Sequence, residues 1–95
     1  MDRHETKARI EAQMDEWKRN VETMKAKAEA STGQANVGYR QSVEELQKQF
    51  DGLKIQAARA WDVADDSWES AGKELELQWQ EWEVRAKRAW SDLTK

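Results

Sequence analysis

At 95 residues with a net charge of −3, 37% charged and 38% hydrophobic residues, no proline and four glycines, the chain has room for one small domain and the composition of packed helices. The balanced charge argues against a nucleic-acid binder, which would concentrate Lys and Arg to displace phosphate counterions, and zero cysteines exclude a disulfide framework or a thiolate metal site. No apolar run approaches the roughly 18 residues of a membrane span, and the charged start Met1-Asp2-Arg3-His4-Glu5 does not read as a secretory leader, so a cytoplasmic protein is expected.

The first third carries a heptad: Ile10, Met14, Trp17, Val21, Met24, Ala28 and Ser31 alternate spacings of four and three, the seam of a helix that packs along another helix. Asp2 with Glu5 three residues later has capping-box spacing, so helix 1 is predicted from about 2 to 31. Gly33 and Gly38 suit a helix end and a loosened chain, which places a turn at about 32 to 38.

A second periodic segment begins near Tyr39, where Ser42 and Glu45 have capping-box spacing. Val43, Leu46, Phe50, Leu53, Ala57, Ala60 and Ala64 continue the alternation. Beyond Ala64 the steps to Trp68, from Leu75 to Trp79 and from Ala86 to Trp90 are stutters that straighten the packing. Asp65-Asp66-Ser67 favours a helix start, but the apolar phase runs on without proline or glycine. The prediction is therefore one helix over about 39 to 93, with a break near residue 66 as the alternative.

Trp68, Trp79 and Trp90 stand 11 residues apart, close to three turns, and so share one helix face. With Trp61, Leu75, Trp82 and Leu93 they form a candidate association face, since each tryptophan offers a large apolar area. Residues 62 to 76 hold six acids and one base, whereas residues 79 to 95 hold three acids and four bases. An antiparallel pairing would set the acidic stretch against the basic one.

Catalytic and cofactor chemistry finds little support. His4 is the one histidine and sits where termini fray. Asp62, Asp66 and Glu69 share a face of a continuous helix, but a straight helix cannot wrap a hard cation that wants six to eight oxygens, so they read as a solvated acidic face. Acid-first pairs at i,i+4, namely Glu5/Arg9, Asp15/Arg19, Glu44/Lys48, Glu69/Lys73, Glu81/Arg85 and Glu83/Lys87, read as helix support. No enzyme, cofactor or metal site is expected. The tail, with Trp79, Trp82, Trp90 and Leu93 bordered by Arg85, Lys87 and Arg88, also has the look of an interfacial membrane helix. Its charge of +1 gives little attraction to anionic lipid.

Several stretches resemble a family of small bacterial coiled-coil proteins, cyanobacterial and proteobacterial, described as stress-response proteins of unknown mechanism. They are Glu11-Ala12-Gln13-Met14-Asp15-Glu16-Trp17, Met24-Lys25-Ala26-Lys27-Ala28-Glu29-Ala30, Tyr39 leading to Glu44-Glu45-Leu46, and Asp66-Ser67-Trp68-Glu69 with Trp79 following. The resemblance spans roughly residues 8 to 82 and implies helix through the thirties, where this chain has Ser31-Thr32-Gly33 and Asn36-Val37-Gly38. Family members often carry a glycine between the late tryptophans, and Glu74 stands in its place here. No site residues transfer from the resemblance.

The expected architecture is all-α: an antiparallel helical hairpin, a coiled coil with a long second helix, or else a three-helix bundle. In the hairpin, helix 1 is too short to cover helix 2, so the late tryptophans would need a second copy, giving an antiparallel homodimer. The function expected is a noncatalytic structural or interaction protein, stress-linked by resemblance. A peripheral membrane-surface binder is the alternative, and an adaptor docking a partner's helix is a third reading.

Overall fold

A computed structural model describes residues 2–30 and 35–93, with only the backbone described at Ala35, Asn36 and Leu93. The described residues form three helices, α1 Arg3–Ala30, α2 Ala35–Trp61 and α3 Asp65–Leu93, in a body of about 52 × 17 × 16 Å. The protein is all-α, in the three-helix arrangement. The long second helix of the hairpin expectation is corrected, because the chain turns back at residues 62–64.

Burial explains why the chain turns there. A continuous helix would leave Trp68, Trp79 and Trp82 without a cover from α1, whereas folding back buries all three. Each tryptophan removes roughly 150–250 Å² from water, worth about 4–6 kcal/mol at the usual coefficient. Ending one helix and starting another in solvent costs far less, because water satisfies the orphaned backbone groups. The local chemistry cooperates: Asp62 N–H donates to the Arg59 carbonyl at 3.1 Å in a tightened last turn, and the Ala64 carbonyl accepts from Ser67 at 2.9 Å and Trp68 at 3.0 Å. Asp65 and Asp66 occupy the first turn of α3, where carboxylates meet the positive end of the helix dipole.

At the start of α1, beside the α2–α3 turn, Asp2 caps the helix through the N–H of His4 and not through that of Glu5, as a capping box would. Its carboxylate accepts from the His4 backbone N–H at 2.9 Å and its carbonyl from Thr6 at 3.0 Å. The expected turn at 32 to 38 is corrected in its second half, since α2 already runs from Ala35. Its first half, with Ser31 of the heptad, lies outside the described residues. Ser42 consequently sits inside α2, where its hydroxyl donates back to the Gly38 carbonyl at 3.0 Å and does not cap a helix start.

With 28, 27 and 29 residues, the helices match in length, so each can cover the other two. The core contains Ile10, Met14, Trp17, Val21 and Met24 of α1, Val43, Leu46, Phe50, Leu53, Ala57 and Ala60 of α2, and Trp68, Leu75, Trp79, Trp82, Ala86 and Ala89 of α3. These are the heptad seams read from the sequence, with Ala89 added. Ala64, by contrast, is exposed in the turn.

Candidate functional site

The six described side chains of the candidate association face fall into two groups. Trp68, Leu75, Trp79 and Trp82 are buried, whereas Trp61 and Trp90 are half-buried; the Leu93 side chain lies outside the described residues. The stripe therefore faces the inside of its own bundle, so the uncovered seam that argued for a second copy is covered here by α1 and α2.

At mid-bundle the aromatic rings close on one another. Trp79 and Trp82, one turn apart on α3, stack with centroids 5.1 Å apart and planes 16° from parallel. Trp17 meets Trp82 edge-on at 5.6 Å, and Phe50 lies 5.3 Å from Trp82 and 6.2 Å from Trp79. Such edge-on and offset contacts suit the ring quadrupoles.

A buried indole N–H must also find an acceptor. Trp82 donates to the Leu46 carbonyl at 3.0 Å, Trp79 to the Gln13 amide oxygen at 2.8 Å and Trp17 to a Glu83 carboxylate oxygen at 3.2 Å. The last two form a reciprocal set, in which α3 gives an indole to α1 and α1, one turn on, gives one to α3. Together with the Arg9–Glu76 ion pair, they fix the register of two parallel helices.

Sequence reasoning missed these partners. The i,i+4 spacing pairs Arg9 with Glu5 and Glu83 with Lys87 on their own helices, whereas both reach across to a neighbour. The Glu69–Lys73 pair forms as expected, at 3.7 Å. Both side chains are exposed, so it contributes little.

At the α2–α3 turn, Arg3 lies 5.1 Å above the Trp68 ring and 3.4 Å from the Asp65 carboxylate, with a long contact to the Trp61 carbonyl at 3.5 Å. Trp61 rests against Trp68 at 5.7 Å. The start of α1 thereby closes over the turn. Asp62 belongs to that turn, so it does not share a helix face with Asp66 and Glu69. All three are exposed, and among the described residues no group of three His, Cys, Asp or Glu is placed to hold a metal ion. His4 is exposed at the start of α1, beside Lys7 and Trp61.

A concavity lies between the start of α2 and the end of α3. It is a cleft of about 330 Å³ lined by Tyr39, Ser42, Glu45, Leu46, Gln49, Arg85, Arg88, Ala89 and Asp92. Arg85 donates to the Gln49 side-chain oxygen at 3.1 Å across its wall. The Tyr39 hydroxyl oxygen is sealed from solvent and has no hydrogen-bond partner among the described residues. Burial, then the charge of Asp92, push this phenol above its ordinary value of 10.0.

Tyr39 is the single tyrosine, which makes a clean test. Its phenolate absorbance should appear at higher pH in the folded chain than in urea. Because the folded value is raised, the associated stability is present below the ordinary phenol pKa and is lost as pH rises through the folded value. A folded titration that overlays the unfolded one would contradict the burial of this hydroxyl.

No family model, curated protein or solved structure matches the chain. Among the described residues, no helix is long and apolar enough to cross a membrane.

Proposed function

We propose that the chain is a noncatalytic interaction protein, a rigid three-helix carrier that offers the α2/α3 cleft to a side chain of a protein partner. The observation that carries this reading is the Tyr39 hydroxyl, a donor removed from water and left unpartnered among the described residues at a cleft flanked by Arg85 and Arg88. A buried donor without an acceptor costs about 1–3 kcal/mol. Once the cleft widens to admit it, a partner's carboxylate or side-chain amide would relieve that cost; Glu45 and Asp92 on the same walls offset the two guanidiniums, so charge does not choose between the two. The Trp-rich core supports the carrier role, because it ties all three helices together through rings and indole hydrogen bonds.

The membrane-surface alternative makes a heavier demand. Trp79 and Trp82 would have to leave Gln13 and Leu46 before entering lipid. The stress link belongs to the proposal through the resemblance alone, and protein abundance under stressed and unstressed growth tests it.

For the interaction itself, a photo-crosslinking residue at Ser42, exposed at the cleft, is compared with one at Lys18, exposed on α1. Discrete adducts at Ser42 that disappear with Arg88→Ala are expected. Equal labelling at both sites, or adducts indifferent to Arg88→Ala and Tyr39→Phe, would contradict the proposal. Capture by anionic vesicles in place of protein adducts would favour the membrane reading.

A further inference from the structure

The turn at residues 62–64 is the place where sequence pattern and fold disagree, and the disagreement has structural content. Asp62-Val63-Ala64 contains neither proline nor glycine, and the connection is only three residues long. Asp62 and Ala64 are exposed and Val63 is half-buried. Val63 packs against the core and Arg3 braces the turn through the Trp61 carbonyl, Asp65 and the Trp68 ring, so opening it must release or re-form these few contacts.

The phase of the two helices adds a second observation. With 100° per residue carried uniformly from α2 into α3, the buried residues Val43 to Ala60 and Trp68 to Ala89 fall on one side of a single helix, their mean directions within roughly 20°. A turn that reverses the chain does not require this agreement. Two long helices packed antiparallel, each covering the other along its whole length, do require it.

We propose that the bundle opens at residues 62–64 into a domain-swapped dimer. In it, α2 and α3 of each copy join into one helix, and α3 occupies its usual place against α1 and α2 of the other copy. The partner is a second copy of this chain, and the swapped surface is the inner face of α3 with Trp68, Trp79 and Trp82. The contacts of the closed bundle re-form between copies, including Trp79 with Gln13, Trp17 with Glu83 and Trp82 with the Leu46 carbonyl. The junction exchanges two solvated helix ends for continuous helix hydrogen bonding. A two-fold axis at the hinges closes the assembly. Dilution favours the closed monomer and concentration the open dimer. The inference is independent of the cleft and of its proposed partner.

The test uses the full chain, which contains no cysteine of its own. Spin labels are placed at Lys48→Cys and Lys87→Cys, both exposed, and labelled chains are mixed with excess unlabelled protein so that only distances within one chain are read. In the monomer fraction the labels should lie within about 30 Å, as expected for adjacent packed helices. In the dimer isolated after concentration, the distance should lengthen to roughly 58 Å, the rise of a continuous helix between these positions.

Replacing the hinge with Asp62→Ala, Val63→Ala and Asp65→Ala favours helix at the junction in both copies and should strengthen dimerisation on the order of a hundredfold. Asp65→Pro suits the first position of α3 but not a helix interior, and should weaken dimerisation more than about a hundredfold. A dimer that keeps the short distance, a hinge-alanine chain that stays monomeric at millimolar concentration, or a dimer untouched by Asp65→Pro would each overturn the proposal.

Discussion

Trp82→Ala should destabilise the bundle by about 3–5 kcal/mol, through lost transfer energy and the cavity left behind. The residue is 1% exposed and is the ring at which Trp17, Phe50 and Trp79 meet. Small domains are stable by only about 5–15 kcal/mol, so one truncation removes a large share. At roughly 4–8 °C per kcal/mol for a chain of this size, the melting temperature should fall by more than about 12 °C. Trp82→Phe keeps part of the packing and gives up the bond to the Leu46 carbonyl, so it should fall between the two. Glu69→Ala, at an exposed ion pair, should stay within about 0.5 kcal/mol of the parent. Thermal and urea unfolding followed by circular dichroism measure all three, and similar small losses throughout would deny that the ring cluster is the core.

Ala86→Asp should be comparably severe for a different reason. Ala86 is 0% exposed, and a carboxylate there would lie among apolar groups without a partner, at a cost of several kcal/mol. The sign of its pH dependence follows from burial. The folded pKa of the new carboxyl would be raised, so the folded state would bind a proton more readily than the unfolded state, and the loss should shrink on acidification toward about pH 5. Gln80→Asp, exposed on the same helix, should change stability by no more than about 0.5 kcal/mol. Unfolding midpoints of both variants, measured against pH beside the parent, give the comparison. Equal effects at positions 80 and 86 would contradict the placement of α3.

The legible parts of this fold are those that local periodicity determines. The seam from Ile10 to Ala28 is buried at every position, because a heptad stripe on a helix has one place to go. The stripe from Trp68 to Ala86 was also legible as an apolar face, but its partner was not. A continuous apolar phase through Asp62–Ala64 favours one helix, the string Asp65-Asp66-Ser67 favours a new start, and the outcome depends on what α1 can reach to cover, a non-local term.

Gly38 misled in a similar way. It suggested a loosened chain, yet it lies within α2, since tertiary packing overrides a helix cost of about 1 kcal/mol. The acceptors Gln13, Glu83 and the Leu46 carbonyl had no sequence signal, because each depends on the register between helices far apart in the chain. Tyr39 and Arg88 meet at the cleft for the same reason, through the antiparallel pairing of α2 with α3.

The central claim is that α3 folds back on α2 within one chain, so that the tryptophans form an intramolecular core. The most direct measurement is the distance between spin labels at Lys48→Cys and Lys87→Cys in dilute solution, where a single copy is read. A distance within about 30 Å, that of neighbouring packed helices, is predicted. A distance near 58 Å, roughly that of an unbroken helix between the two positions, would contradict the account and restore the hairpin with a long second helix.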